Sequence, residues 1–158
     1  IIGVCLGAQL LAYAAGGNVK VLEGGTPPQP LAEVGWHTVC SNVCNKDNKI
    51  STLLGKPFPV LHWHGDRIVL PTLSKLIASS CRCKEQLFQI GSLAYGIQFH
   101  IETDNEMVYR WIEEDEKFVS SALGRDGQSF LKKQQKEYGN KTLEARLEFL
   151  NILIDLVI

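Results

Sequence analysis

No stretch of this 158-residue sequence is apolar for long enough to cross a membrane. Its first residues carry neither the basic flank nor the cleavage site of a secretory signal. Neither sign of charge is in excess. Lys and Arg number 16 against 17 Asp and Glu, and the net charge of −1 gives no electrostatic footing for nucleic acid or an anionic membrane. Internal repeats and low-complexity tracts are absent, which excludes a solenoid or a long disordered linker. What is left is a cytoplasmic globular protein, read as a single domain over residues 1–158. Its 45% hydrophobic and 21% charged residues are ordinary for that class.

Cysteine is present in odd number, at positions 5, 40, 44, 81 and 83, with no secretory context, so reduced thiols are expected. Cys40-x3-Cys44 and Cys81-x-Cys83 can together supply four thiolates, but neither has the C-x2-C spacing usual for zinc. Ordinary thiols are the expectation, with no metal and no cofactor.

Several stretches read clearly along the chain. Ile1–Val4 is a short buried strand. Parallel sheets are built outward from such strands, which need neighbours on both sides, so strands are expected to precede it. A helical run from Ala8 to Ala15 ends at Gly16-Gly17. Asn18–Leu22 alternates as a strand, and Glu23–Leu31, with three prolines, is a loop. Glu33–Ser41 is a strand, Asn42–Lys49 a polar turn, and Leu53-Leu54-Gly55 closes a helical turn. Phe58–Trp63, Arg67–Leu70, Leu76–Ser79, Gln86–Ile90 and Leu93–Phe99 are further strands.

From residue 103 to 158 the chain reads as helical. Thr103-x-x-Glu106 has the form of a capping box opening a helix to about Leu123. Asp126 and Asn140 are candidate caps for two more. In the last, Leu143, Leu147, Leu150, Ile154 and Val157 form a seam expected to pack on the same domain, a dimer interface being the lesser alternative. Helices at both ends with many short strands between them fit an α/β sheet decorated by an antiparallel ribbon.

Chemistry concentrates at two places. In Gly3-Val4-Cys5-Leu6-Gly7-Ala8-Gln9 a strand turns sharply into a helix with Cys5 at the apex and glycines on either side. The helix N-terminus beneath the sulfur favours thiolate over thiol. The plainer alternative is a structural cysteine at a strand end. In Gln98-Phe99-His100-Ile101-Glu102, a histidine at a strand's C-terminal end can reach a nucleophile on a neighbouring strand's elbow. Two residues on, Glu102 can hold the far imidazole nitrogen. The plainer alternative is a strand-end histidine followed by an acid at a helix N-terminus. Cys5 and His100 together supply what thiol chemistry requires.

These two motifs resemble the nucleophile elbow and His-x-Glu motif of class I glutamine amidotransferases. Glu33-Val34-Gly35-Trp36, His62-Trp63-His64-Gly65-Asp66, Leu70-Pro71 and Ala78-Ser79-Ser80 resemble the GMP synthase-like branch. The likeness runs from Ile1 to about Trp111.

The resemblance implies a three-layer flavodoxin-like fold: a mostly parallel central sheet, an antiparallel ribbon and C-terminal helices, with the first strands missing here. It implies glutamine hydrolysis by Cys5, His100 and Glu102 through a γ-glutamyl thioester, with the Leu6 N–H as one oxyanion donor. By the same resemblance, Gln9 and the backbone around His62 and Trp63 hold the substrate, while the His64-to-Asp66 segment is a structural turn. The implied partners are glutamine or a glutamine-like amide and a synthetase receiving ammonia. No synthetase domain follows the helical tail, which points to a stand-alone member. A γ-glutamyl peptide hydrolase and a silent regulatory module are the competing functions.

Ala8 and Ile101 depart from the histidine and proline common in relatives, and neither touches a reacting group. The glycine-rich loop that gives relatives a second oxyanion donor is expected upstream of Cys5.

Overall fold

The structure is a computed structural model that describes residues 1–43 and 49–158. Ile2–Val4 forms β1, and the chain turns at Cys5 directly into α1, Leu6–Ala14. Asn18–Val21 is β2. Within the proline-rich loop, Glu23–Gly24 (β3) and Gln29–Pro30 (β4) make a two-residue ribbon. Glu33–Ser41 is β5 and Lys49–Leu53 is α2. Phe58–His64 (β6), Asp66–Val69 (β7), Ser74–Ser79 (β8), Leu87–Ile90 (β9) and Ala94–Ile97 (β10) complete the strands among the described residues. Four helices follow: α3 at Asn105–Glu114, α4 at Glu116–Leu123, α5 at Gly127–Tyr138 and α6 at Leu143–Asp155. The polar turn expected over residues 42–49 lies mostly, and Cys44 wholly, outside the described residues. None of the described helices is long and apolar enough to cross a membrane.

Six strands form one sheet in the order β1-β10-β9-β8-β5-β6, and β2 pairs with β7 in a separate ribbon. The α/β class holds, but the sheet is mixed, and in the described residues it is not mostly parallel. Only β1 and β10 run parallel, with Ile2 opposite Tyr95 and Val4 opposite Ile97. The pairings β10–β9, β9–β8, β8–β5 and β5–β6 are antiparallel. The reason lies in the connections. Strands β8, β9 and β10 follow one another through short links, and a short link can only return the chain antiparallel. The sheet also curls. Beyond β10, the His100 N–H donates to the Leu61 carbonyl at 2.8 Å, an isolated antiparallel bridge that brings the far-edge strand β6 back to the chain leaving β10.

Apolar side chains of α2 and α6 pack on one side of the sheet around Val39, Val60, Leu87, Ile97 and Phe99. Helices α3 to α5 bury Val108, Ile112, Val119 and Leu131 against Val34, Trp36 and Leu61 of β5 and β6. Helix α1 contributes Ala8 and Ala12 against Ile68 and Phe88.

The helical tail departs from expectation in three ways. First, the expected single helix over 103–123 breaks at Asp115, whose carboxylate accepts a hydrogen bond from the Trp63 indole at 2.8 Å. Gln128 from α5 donates to the Ile112 carbonyl near the break. Second, the caps move by one or two residues. Asp104, not Thr103, is the N-cap of α3 and accepts from the Met107 N–H at 2.7 Å. The cap of α6 is Thr142 rather than Asn140, whose amide oxygen is engaged by Asn105 instead.

Third, the expected apolar seam of α6 does not face the core as a unit. Leu143 and Leu147 are 43% and 50% exposed and Ile154 is exposed too, while Leu150 and Val157 are half-buried. The inward face carries Arg146, Phe149 and Leu153. Arg146 sets that facing. Only 2% exposed, its guanidinium donates to the carbonyls of Ile101 (2.9 Å), Thr103 (2.8 Å) and Gly139 (3.2 Å), and Nε donates to the Thr142 hydroxyl. It also lies 5.3 Å from the Trp36 ring centroid.

Replacing Arg146 with Leu removes the donors and leaves those carbonyls unpaired in the interior. Each buried carbonyl left unpaired costs about 1–3 kcal/mol, expected as a lower midpoint in urea unfolding. Asp104→Ala is expected to cost only about 1 kcal/mol in the same assay, the ordinary value of a helix cap.

Candidate active site

Cys5 sits at the apex between β1 and α1 with φ 48° and ψ −107°. Among the described residues it is the one non-glycine position with positive φ. The strain is held by hydrogen bonds on both sides. The Cys5 N–H donates to the Ile97 carbonyl at 2.7 Å, and the Cys5 carbonyl accepts from the Gln9 N–H at 3.0 Å. Gly3 makes the turn sterically possible, because a Cβ there would lie 2.5 Å from the Gly7 carbonyl oxygen. The requirement is one-sided: among the described residues a Cβ on Gly7 would meet nothing within 4 Å. Leu6 is the first residue of α1, so its N–H has no acceptor within the helix and is free to serve an anion beside Cys5.

His100 comes to Cys5 from the chain leaving β10. Its Nδ1 lies 2.6 Å from Glu102 Oε1, and the Glu102 Oε2 accepts the Ile101 N–H at 2.9 Å. With Nδ1 engaged by Glu102, Nε2 is the nitrogen left for Cys5. Burial lowers the His100 pKa, but hydrogen bonding with Cys5 and Glu102 and the charges of both outweigh it and raise the value to about 9. The ring therefore holds a proton at neutral pH. Glu102 moves the opposite way. Burial raises its pKa, but His100 and the backbone N–H groups around it bring it below the usual carboxylate value. The Trp111 ring meets His100 edge to face at 4.9 Å and closes the outer side.

The other expected site residues divide. Gln9 stands one turn into α1, and its amide donates to Gln98 Oε1 at 3.3 Å. Trp63 lies 5.7 Å from Trp111 between ring centroids, so its side chain joins the aromatic wall behind His100. The His62 side chain is not at Cys5. It is fully buried, near the rings of His37, His64 and Phe99. Only the β6 backbone beside it, through Leu61, reaches His100.

His62 belongs instead to a buried polar cluster with Glu33 and His64, whose ligand-type atoms lie within 4.8 Å of one another. Proximity alone would make this a metal candidate, yet the carboxylate is already engaged. Oε1 accepts from the Ser80 hydroxyl at 2.6 Å and Oε2 from the Gln86 amide at 2.6 Å, while His64 Nε2 lies 3.2 Å from Oε2. His64 Nδ1 meets the Asp66 carbonyl at 2.9 Å, so this histidine serves the turn through backbone and not through the Asp66 carboxylate. The cluster ties β5 to β6 and to the turn before β9. Of the other thiols, Cys40 and Cys81 are exposed, and Cys83 is buried, which pushes its pKa up to about 12.

Three residues of this neighbourhood are given no site role by the sequence: Gln98, Trp111 and Arg146. For Gln98 a signal existed. Alternate residues of an extended chain share a face, so 98 and 100 point one way while Phe99 and Ile101 enter the core.

Among the described residues both ring nitrogens of buried His62 lack a hydrogen-bond partner, and burial lowers its pKa to about 3 against 6.5 in the unfolded chain. The unfolded state therefore binds the proton first on acidification. The stability His62 contributes is complete above about pH 6.5 and is lost as the pH falls toward 3. His62→Leu is expected to raise the melting temperature at pH 5 relative to the parent and to change it little at pH 8.

The sequence and fold match known proteins over most of the chain. The family model for glutamine amidotransferase class-I matches residues 1–110. The putative glutamine amidotransferase-like protein YfeJ of Salmonella typhimurium is 30% identical over 125 residues, covering 79% of this chain and 49% of the relative. A glutamine-hydrolyzing GMP synthase of Bacteroides fragilis is 35% identical over 104 residues, covering 65% of this chain and 19% of the synthase. Gamma-glutamyl peptidase 3 of Arabidopsis thaliana is 24% identical over 120 residues, covering 72% and 45%. The chain thus spans half or less of the length of these relatives. The crystal structure of a glutamine amidotransferase from Thermotoga maritima superposes with a TM-score of 0.73 at 27% identity, covering 98% of this chain and 60% of that one.

Proposed function

The chain belongs to the class-I glutamine amidotransferase family, and from that premise we propose that its parent protein hydrolyses the side-chain amide of glutamine with Cys5, His100 and Glu102. The observation that carries this reading is the strained Cys5 elbow hydrogen-bonded to an imidazole whose far nitrogen is 2.6 Å from a carboxylate. The Cys5 thiolate attacks the carboxamide carbon, forming a C–S bond and moving an electron pair onto the oxygen. The Leu6 N–H donates to that oxyanion. Collapse breaks the C–N bond as protonated His100 gives its proton to the leaving nitrogen, and ammonia departs. Neutral His100 then takes a proton from water. The resulting hydroxide attacks the thioester, the C–S bond breaks, and glutamate leaves with the thiolate restored. Glu102 holds the imidazole in the orientation both steps need. Gln9 and the β6 backbone near His62 and Trp63 are the proposed substrate contacts. Ammonia would pass to a synthetase partner.

The likeness to a γ-glutamyl peptidase favours a second reading in which the amide nitrogen belongs to a peptide, attacked by the same groups. Side-by-side assays on the full-length protein separate the two: glutamate release from glutamine against release from γ-glutamyl dipeptides.

Cys5→Ala is expected to lower kcat by roughly 10⁴–10⁶, the scale seen when a nucleophile is deleted. The kcat/KM profile should fall on the alkaline side near pH 9, where His100 loses the proton that the leaving nitrogen takes. Turnover surviving Cys5→Ala would overturn the mechanism.

A further inference from the structure

Among the described residues two side chains approach the Cys5 sulfur, and the mechanism above uses only His100. The second is Gln98. Its Nε2 lies 3.7 Å from Cys5 Sγ, within hydrogen-bonding range for sulfur, and its Oε1 accepts from Gln9 Nε2 at 3.3 Å. The residue is fully buried, and its backbone N–H is fixed to the Gln86 carbonyl at 2.8 Å. An amide has two ends of similar shape, and the sulfur decides between them. A thiolate accepts hydrogen bonds and repels a carbonyl oxygen, so the NH₂ end must face Cys5. Gln9 then receives the Oε1 end and can donate to it. The result is a directed chain from Gln9 through Gln98 to the sulfur, anchored on α1 at one end and on the chain after β10 at the other.

We propose that Gln98 is a positioning residue that stabilises the Cys5 thiolate through an N–H···S hydrogen bond, with Gln9 fixing the orientation of its amide. The proposal deepens the functional reading above and rests on Cys5 being its nucleophile. His100 and Gln98 would divide the work. His100 supplies a proton that moves, whereas the Gln98 amide has no proton to give up at working pH. Its contribution is constant through the cycle and serves the sulfur both as attacking group and as leaving group.

The test is alkylation of Cys5 by iodoacetamide across pH 5–10 in the full-length protein, read by mass spectrometry of the Cys5 peptide. Parent, Gln98→Met and Gln9→Met proteins are compared, with circular dichroism and thermal melting as checks of folding. Gln98→Met keeps the length of the side chain and removes the donor. Its alkylation midpoint is expected to rise by about one pH unit, equivalent to a tenfold weaker preference for thiolate. Gln9→Met leaves the donor but frees its far end, and a smaller rise in the same direction is expected. In steady state Gln98→Met should lower kcat on the order of tenfold with little change in KM.

An unmoved midpoint in folded Gln98→Met overturns the proposal. Should that variant not fold, the Gln9→Met profile decides, and an unmoved midpoint there overturns it equally. Alkylation requires no turnover, so the two readings fail separately. A raised midpoint in a protein that does not hydrolyse glutamine retains the role of Gln98 and removes the functional reading. Turnover that depends on Cys5, with an unmoved midpoint, does the reverse.

Discussion

The Arg146 guanidinium is the interaction on which the rest of the arrangement depends. After β10 the chain must leave the sheet to deliver His100 and Glu102, and backbone that leaves a sheet loses the partners a ladder provides. The carbonyls of Ile101 and Thr103 are buried at that point, and Arg146 reaches both from α6 while also holding Gly139 and Thr142 at the head of its own helix. One side chain thereby fixes the carbonyls on either side of Glu102 and joins the last helix to the His-x-Glu segment. Its charge also acts on Glu102, which opposes the fall in the guanidinium's own pKa that burial causes. Donors in a rigid planar fork suit carbonyls converging from several directions, a task a lysine could not perform.

Two histidines show how fully partners decide what burial does. His62 and His100 are both buried and both lie near a carboxylate. Glu33 is 3.6 Å from His62 Nδ1 and forms no hydrogen bond with it, its oxygens being occupied by Ser80, Gln86 and His64. Glu102 meets His100 at 2.6 Å. The first ring is kept neutral far into acid, and the second keeps its proton into alkali. Burial lowers both, and hydrogen bonding reverses the outcome for one of them.

The parts of the molecule governed by neighbours in sequence were legible in advance. The bounds of β5 at Glu33–Ser41, the elbow at Cys5 and the helix beneath it follow from alternation, glycine placement and helix periodicity. The contact of His100 Nδ1 with Glu102 was legible too, because the short His-x-Glu motif carried it. What was not legible depends on partners distant in the chain. The break at Asp115 accompanies a bond from Trp63, 52 residues earlier. The facing of α6 depends on a charged residue drawn inward by carbonyls more than forty positions away, where hydropathy alone would have turned the leucines in. Among the described residues the sheet has one parallel pair, β1 with β10, because β8, β9 and β10 are joined too closely to run parallel to one another.

The bridge between Leu61 and His100 makes the hairpin of β5 and β6 a gauge for the reacting imidazole. Along β6, His62 and His64 face the buried carboxylate while Trp63 faces the helices, and Leu61 supplies the carbonyl that receives the His100 N–H. A slip of one residue against β5 would exchange these faces. Two imidazoles would turn toward the helices, an indole toward Glu33, and the carbonyl under His100 would point away. The buried polar cluster therefore acts as a register lock for a site it does not touch.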